Sequence, residues 1–433
     1  MKVTAAHSAP EGPLARAREF ATSWSGAVAA LTLAAFAVYW ISALLLVARA
    51  GTTHFGADTW FYTELAKGNV FERIATNFDL ARIFRFHPTT AVLGTGWMAL
   101  LSPLTALVSP PVLLKGLFAL IGAIGVWAAV WAFAAVVPRR MALVWGAIYA
   151  STMAVWYFSS IEESKIVSAT LASLYIAVYM HLRTRWALRG AVILTAILLL
   201  ACLNEIVAAF LVAIPAVDAL VEHGWDLRRS WWIALHALAA PLALAILEVL
   251  VNGWLVPVGS HPEGATHVSM LWWYIAQSDF NYYTVRAFFV RWLFFNIAAP
   301  ERFALHWANP SIGFGGDFVP ILSSYFSSPL RIALVAVFVV MLVAVLLPRY
   351  RTHGAVRPLA GLLLGLLAYD IARAGFFFIF NAKECLLFSS SVTLAHLLLL
   401  GIPFMASKFP YKPAVLLSAA ALLFVTNGLF IIG

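Results

Sequence analysis

Residues 111–137 read PVLLKGLFALIGAIGVWAAVWAFAAVV, and Lys115 is the only charged residue in this run. A helix needs about 20 predominantly apolar residues to cross a bilayer, so the run predicts a membrane-spanning helix. Arg139 and Arg140 follow directly after Pro138. Because basic residues accumulate in cytoplasmic connections, we expect this end of the helix to face the cytoplasm.

The composition of the whole chain agrees with this interpretation. Its 433 residues are 63% hydrophobic and only 11% charged, and the mean hydropathy is +0.90. Soluble domains carry about 25% charged residues, so the composition excludes a soluble enzyme, a disordered protein and a nucleic-acid-binding module. The formal net charge of +9 is explained by the basic bias of cytoplasmic loops and indicates no nucleic-acid partner. The sequence therefore predicts an all-α polytopic membrane protein.

Further apolar runs predict about 11 membrane-spanning helices, within a range of roughly 10 to 13. Residues 89–109 are apolar but contain Pro103, and the charge pattern requires an odd number of crossings between 89 and 137. We therefore expect this stretch to dip into the membrane and return. The other runs lie at 27–47, 141–158, 164–182, 190–203, 206–221, 231–256, 330–347, 357–378, 386–406 and 412–432.

The basic residues fall in every second connection between these runs, which predicts that those connections and the N-terminus are cytoplasmic. Most acidic residues lie in the alternate connections, which would form one extracytoplasmic face. We expect an integral protein of a bacterial inner (plasma) membrane. The basic residues are Arg139, Arg140, Arg183, Arg185, Arg189, Arg228, Arg229, Arg349, Arg351, Arg357, Lys408 and Lys412, with Arg16 and Arg18 before the first run.

Four segments follow from this topology. Residues 1–26 form a cytoplasmic N-terminal segment, and 27–256 form a transmembrane module whose first outer loop is 49–90. Apolar residues at helical spacing in 58–67 predict amphipathic surface helices in that loop. A long extracytoplasmic loop follows at 257–329, and 330–433 contains the C-terminal transmembrane helices.

Placing an ionisable side chain in a bilayer costs several kcal/mol of free energy, so such a side chain is expected to have a structural or functional role. Five such groups lie on the predicted outer face. They are Asp58, His87 in Arg85-Phe86-His87-Pro88, the turn Glu162-Glu163-Ser164-Lys165, the pair Asn204-Glu205, and Lys383-Glu384 with Asn381 and Arg373.

Each group has a structural interpretation beside a functional one. Asp58 suits a helix N-cap as well as catalysis. His87 is either a satisfied interfacial histidine or a ligand for a phosphate or hydroxyl. Glu162 and Glu163 could bind a metal or a sugar, pair with Lys165, or form a solvated turn.

The remaining groups also leave alternatives open. Glu205 has no basic neighbour in the chain, and flanking apolar residues make a solvated position hard to explain. Arg373 and Lys383 could receive a phosphate, or Lys383 and Glu384 could form a loop ion pair. In the long loop, Arg286 and Arg291 lie among aromatic residues that are typical of an interfacial belt or of sugar stacking.

Taken together, the clustering indicates a site at the membrane–water boundary for a substrate with an apolar tail and a charged, sugar-like head. The order of the features resembles the GT-C superfamily of integral-membrane glycosyltransferases. Asp58 matches an acidic residue after the first helix, and His87-Pro88 matches the return to the membrane. Glu162 to Lys165 resembles a polar turn, and Asn204-Glu205 resembles a break between two helices. The likeness covers mainly residues 27–220.

The resemblance implies a GT-C-like fold and transfer of a sugar from a polyprenyl-phosphate donor to an extracytoplasmic glycan, lipid or protein, with inversion. By analogy, Asp58 is the general base, and Lys165, Arg373 or Lys383 stabilises the departing phosphate. Asp58 is followed by Thr59, whereas some members have an Asp-Glu pair. No Asp-x-Asp sequence occurs in that loop, so no metal ligand is assigned, and participation of Mg²⁺ or Mn²⁺ stays open.

Three other classes of function stay open, and one of them is a purely structural membrane subunit. A lipid-linked-glycan polymerase, ligase or flippase would also bind a lipid phosphate, and a polymerase or ligase could use Arg286 and Arg291. A secondary transporter would place ionisable groups inside its spans. Asp370 and Arg373 are candidates for such groups, although their i, i+3 spacing would let them pair with each other. The sequence leaves the oligomeric state open.

Overall fold

The computed structural model describes the greater part of the chain, and within that part the secondary structure is helical, with no strand. The described residues are 23–50, 59–68, 70–74, 84, 87–183, 188–224, 227–247, 249, 282–300, 322–350, 356–381 and 385–432.

The first half of the chain contains nine α-helices among these residues, and two of them, α2 and α3, are short helices within the predicted first outer loop. The helices are α1 (Trp24–Ala50), α2 (Thr59–Ala66), α3 (Val70–Ile74), α4 (Pro88–Leu100), α5 (Pro110–Ala134), α6 (Arg139–Ser151), α7 (Met153–Ser160), α8 (Lys165–Leu182) and α9 (Leu188–Asn204).

The second half adds nine more α-helices within the described residues, together with a π-helix at Val290–Phe295 and 3₁₀ helices that include Ile206–Val212 and Ser390–Val392. The α-helices are α10 (Ala213–His223), α11 (Leu227–Ala237), α12 (Ala239–Ile246), α13 (Tyr282–Phe289), α14 (Pro329–Leu346), α15 (Ala360–Asn381), α16 (Cys385–Ser389), α17 (Thr393–Ala406) and α18 (Lys412–Ile431).

Seven segments of the described chain are long and apolar enough to cross a membrane, and an eighth is added if α6 and α7, bent by 60°, form one span. This confirms the helical, polytopic character, while the number of 11 spans stays a prediction. The seven segments are Trp24–Ala48, Pro110–Ala134, Lys165–Leu182, Pro329–Leu346, Arg357–Phe380, Leu386–Ala406 and Lys412–Ile431. Shorter apolar helices occur at Leu188–Asn204 and Trp231–Ile246.

Helix α4 contacts the end of α9 and the start of α5. At its start, His87 Nδ1 lies 2.8 Å from the carbonyl oxygen of Asn204, the last residue of α9. Near its end, Trp97 Nε1 donates to the carbonyl oxygen of Leu113, in the first turn of α5. The re-entrant course of 89–109 stays a prediction.

Helices α10 and α15 approach each other closely because α15 presents glycines there. A Cβ atom on Gly365 would lie 2.5 Å from the carbonyl oxygen of Ile214, and one on Gly361 would lie 2.4 Å from Asp218 Oδ1. Glycines four residues apart let two helix backbones meet, as is common between helices in membranes. The same helix carries Arg373 two turns beyond Gly365, so this contact also positions Arg373.

We expect Gly365→Ala to destabilise the protein by about 1–3 kcal/mol, because the methyl group would push α10 away from α15. Gly375→Ala is the matched control on the same helix, since its Cβ atom would meet no described atom within 4 Å. Alanine there raises helix propensity and is expected to be neutral or stabilising. Apparent unfolding temperatures in detergent measure both effects, and equal temperatures for the two variants would contradict the close contact.

Candidate functional site

Asn204 joins three parts of the chain at one end of the helical body. Its side-chain amide donates to the carbonyl oxygen of Ser164 at 3.2 Å and to Ser168 Oγ at 2.8 Å. Its side-chain oxygen accepts a hydrogen bond from Thr90 Oγ1 at 2.7 Å. The turn before α8, the start of α4 and the end of α9 therefore meet at this one residue.

The chain leaves the α-helix immediately after Asn204. Glu205 has extended backbone angles, with φ of −159° and ψ of 107°, before the 3₁₀ helix Ile206–Val212 begins. This break turns the Glu205 carboxylate into the interior, where the residue is only 7% exposed. A buried carboxylate needs a partner, and the structure supplies one from α15.

Arg373 is that partner. Its Nη2 atom lies 3.1 Å from Glu205 Oε1 and also donates to the carbonyl oxygen of Phe388 at 3.3 Å. Burial alone would raise the pKa of the Glu205 carboxyl, but Arg373 and Lys165 outweigh it and hold that pKa below its ordinary value. Among the described residues, Glu205 Oε2 and Arg373 Nε have no hydrogen-bond partner, so the pair keeps unused polar atoms.

Lys165, the first residue of α8, is a second buried cation at this site, with 6% of its surface exposed. Its Nζ atom lies 4.4 Å from the centroid of the Phe388 ring. Within the described part of the chain, no carboxylate or other hydrogen-bond acceptor pairs with this ammonium group. Lys165 therefore retains donors for an anionic ligand.

His87 is a neutral group beside these charges. Because a carbonyl oxygen only accepts, the 2.8 Å contact with Asn204 assigns the proton to Nδ1. Burial, together with the nearby Lys165, lowers the pKa of His87 from 6.5 to about 3. The imidazole thus carries no charge near neutral pH.

Glu162 pairs with a residue that sequence reasoning missed. Its carboxylate forms an ion pair with Lys115 of α5, and both side chains are fully buried. The alternative that Glu162 pairs with Lys165 is therefore wrong. The sequence contained a signal for this pair, because Lys115 is a lone lysine in an apolar run and needs a partner inside the membrane.

Glu163 is also buried, and its Oε1 atom accepts a hydrogen bond from Ser164 Oγ at 3.2 Å. The turn that carries Glu162 and Glu163 is therefore packed inside the protein and is not a solvated turn. The described residues contain no group of three or more His, Cys, Asp or Glu side chains that could hold a metal ion.

Helix α2 packs on the same turn. The Tyr62 hydroxyl oxygen accepts a hydrogen bond from the backbone N–H of Ser164 at 2.8 Å. Three predicted site residues, Asp58, Lys383 and Glu384, lie outside the described residues. The structure therefore brings together His87, Glu162, Glu163, Lys165, Glu205 and Arg373.

Asp370 does not pair with Arg373, although the two are three residues apart on α15. Its Oδ1 atom accepts from Trp292 Nε1 at 2.8 Å, and its Oδ2 atom lies 2.9 Å from His396 Nε2. Arg373 is engaged by Glu205 instead, so the i, i+3 spacing that would let Asp370 and Arg373 pair with each other is not used. Asp370 and His396 lie within the apolar segments Arg357–Phe380 and Leu386–Ala406, and Trp292 lies in the π-helix.

The described part of the predicted long loop is helical and packs into the body. Arg286 lies on α13, and Arg291 is buried in the π-helix beside Trp292. The N–H groups of Met153 and Ala154, in the first turn of α7, donate to carbonyl oxygens of residues 297 and 296. This segment therefore completes the hydrogen bonding of the bend between α6 and α7.

Comparison with protein-family models and with curated proteins finds no match for this chain. The function must therefore be argued from the residues of the site.

We expect Glu205→Gln and Arg373→Met each to destabilise the protein by about 3 kcal/mol or more, because each leaves a buried charge without its partner. The double variant is expected to be more stable than either single variant, since it removes both charges. Apparent unfolding temperatures in detergent provide the comparison. Strictly additive losses in the double variant would contradict the ion pair.

Acidification should destabilise the folded protein through His87. Its pKa is about 3 in the folded state and near 6.5 when free, so only the unfolded chain binds a proton between these values. The free energy of unfolding is not reduced by His87 above about pH 6.5. It falls by up to about 1.4 kcal/mol per pH unit as the pH decreases toward 4. Unfolding temperatures of His87→Gln should fall less steeply than those of the unsubstituted protein, whereas the exposed control His181→Gln should keep the full slope.

Proposed function

We propose that this chain is a membrane glycosyltransferase that moves a sugar from a polyprenyl-phosphate donor to an acceptor by inverting direct displacement. One observation carries the proposal. Lys165 is a buried ammonium group without a described hydrogen-bond acceptor, beside the Glu205–Arg373 pair at a helix break. A phosphate oxygen is the strong, anionic acceptor that such a cation lacks.

The surroundings of Lys165 suit a ligand that is part lipid and part sugar phosphate. The ammonium group lies against the Phe388 ring, while the polar turn at Glu163 and Ser164 lies directly before it in the chain. Apolar helices long enough to span a membrane flank the site. A lipid tail would lie among these helices, and its phosphate would reach the buried cations.

The proposed reaction breaks one bond and forms another at the anomeric carbon. The acceptor hydroxyl oxygen attacks that carbon, and the bond to the phosphate oxygen breaks with its electron pair on the leaving lipid phosphate. Lys165 and Arg373 stabilise the negative charge that develops there. Asp58 takes the proton of the acceptor hydroxyl as general base.

The position of α2 supports Asp58 in this role. Asp58 precedes Thr59, the first residue of α2, and Tyr62 of that helix contacts Ser164 in the polar turn. With the predicted topology, the site faces the extracytoplasmic side of a bacterial inner membrane. The acceptor is then a glycan, lipid or protein on that side.

A second candidate function is proton-coupled transport of a lipid-linked or small polar substrate. The observation that favours it is the Asp370–His396 pair, because ionisable side chains within spanning helices are common in proton pathways. Such a protein would move its substrate across the membrane without breaking a glycosidic bond. The presence or absence of sugar release therefore separates the two candidates.

The test is a sugar-release assay with purified protein in detergent and radiolabelled polyprenyl-phosphate sugars. We expect Lys165→Gln to lower kcat/KM by about 100-fold, because the leaving phosphate loses a charged donor. Asp58→Asn should lower kcat by about 100-fold to 10,000-fold through loss of the base. Lys408→Gln is the matched control, since it removes an exposed lysine distant in sequence from the site residues.

Each variant needs an unchanged size-exclusion profile and unfolding temperature, so that lost activity is not lost folding. Equal activity of Lys165→Gln and Lys408→Gln would contradict the role of Lys165. Absence of sugar release from every donor by folded protein would contradict the glycosyltransferase proposal. Proton-dependent uptake in proteoliposomes that is abolished by Asp370→Asn would then favour the second candidate.

A further inference from the structure

Two stacked phenylalanine rings connect Lys165 and Arg373. Lys165 Nζ lies 4.4 Å from the centroid of the Phe388 ring. The Phe388 and Phe377 rings stack with centroids 3.9 Å apart and planes at 10°. Arg373 Cζ lies 5.1 Å from the Phe377 centroid. Both cations are therefore within the 6 Å or so at which a ring face attracts a positive charge.

Local geometry fixes this arrangement. Phe377 follows Arg373 by four residues on α15, so the two side chains share one helix face. The carbonyl oxygen of Phe388 accepts from Arg373 Nη2 at 3.3 Å, and Ser390 Oγ donates to the carbonyl oxygen of Lys165 at 3.4 Å. The segment from Phe388 to Ser390 therefore contacts the guanidinium group of Arg373 through a backbone carbonyl and the backbone of Lys165 through a side chain.

A ring face stabilises a cation differently from a carboxylate. The attraction is to the π electrons, and all three N–H donors of an ammonium group can still bind oxygen atoms. Glu205 lies near enough to Lys165 for each charge to act on the other, yet the two form no ion pair. The ammonium group therefore lies against the Phe388 ring and not against the Glu205 carboxylate.

We propose that Phe388, supported by Phe377, is a positioning residue that keeps the Lys165 ammonium group open for the oxygen of a phosphate ester. This inference rests on the proposed role of Lys165 in binding the donor phosphate. When the ring face is weakened, Lys165 turns to Glu205 and forms an ion pair. The phosphate then competes with an internal carboxylate and binds less tightly.

The test uses dodecyl phosphate as the probe and fluorinated phenylalanines at position 388. Fluorine withdraws electrons from the ring face, which weakens its attraction for a cation, while the ring keeps its shape and becomes no more polar. The Kd for dodecyl phosphate is measured by calorimetry on the full chain in detergent. It should rise progressively from phenylalanine through 4-fluoro- to 3,4,5-trifluorophenylalanine, and the trifluoro variant should have a Kd about tenfold above that of the unsubstituted protein. Phe388→Leu should match the trifluoro variant, and Phe388→Tyr should restore binding to within about twofold.

Fluorination of Phe424 is the matched control. This ring stacks on Trp156 with centroids 5.1 Å apart, and no cation of the described residues lies over it. Fluorination of Phe424 should leave the Kd for dodecyl phosphate unchanged, and the unfolding temperature should be the same in all variants. If the unsubstituted protein binds dodecyl phosphate and fluorination at 388 leaves Kd constant, the positioning role is wrong while the phosphate site stands. If the unsubstituted protein binds no dodecyl phosphate, both the phosphate site and this inference are wrong.

Discussion

The buried ion pair between Glu205 and Arg373 is the interaction on which this end of the protein depends. Two charges removed from water are tolerated only when they compensate each other with good geometry. This requirement fixes the break after α9 against the middle of α15. Helix α15 is in turn held close to α10 because Gly361 and Gly365 leave no side chain between the backbones. A substitution at either contact would therefore change the geometry of the other.

The charges at the site differ in how they are compensated. Lys115 is neutralised by Glu162, and Arg373 by Glu205. Arg373 also lies over the Phe377 ring, whereas Lys165 has only an aromatic face and no carboxylate partner among the described residues. A carboxylate partner occupies donors of a cation, whereas a ring face leaves all of them able to bind an anion. Lys165 is therefore the cation that we propose binds the phosphate most directly, with the remaining donors of Arg373 beside it.

The sequence was sufficient to predict the helical membrane character and the positions of the polar breaks. The run at 111–137 corresponds to α5, and the turn at 162–165 and the Asn204-Glu205 break lie where the apolar pattern is interrupted. It could not identify the partners, because pairing depends on how helices align. Glu162 and Lys115 are 47 residues apart, and Glu205 and Arg373 are 168 apart. Asp370 pairs with Trp292 and His396 for the same reason.

The most direct test is a cryo-electron microscopy structure of the full chain with a bound polyprenyl phosphate. We expect a phosphate oxygen within about 3 Å of Lys165 Nζ, with the Glu205–Arg373 pair intact beside it. A phosphate bound beside Arg286 and Arg291, with Lys165 making no contact with it, would contradict the phosphate-binding role of Lys165 and would favour a polymerase or ligase.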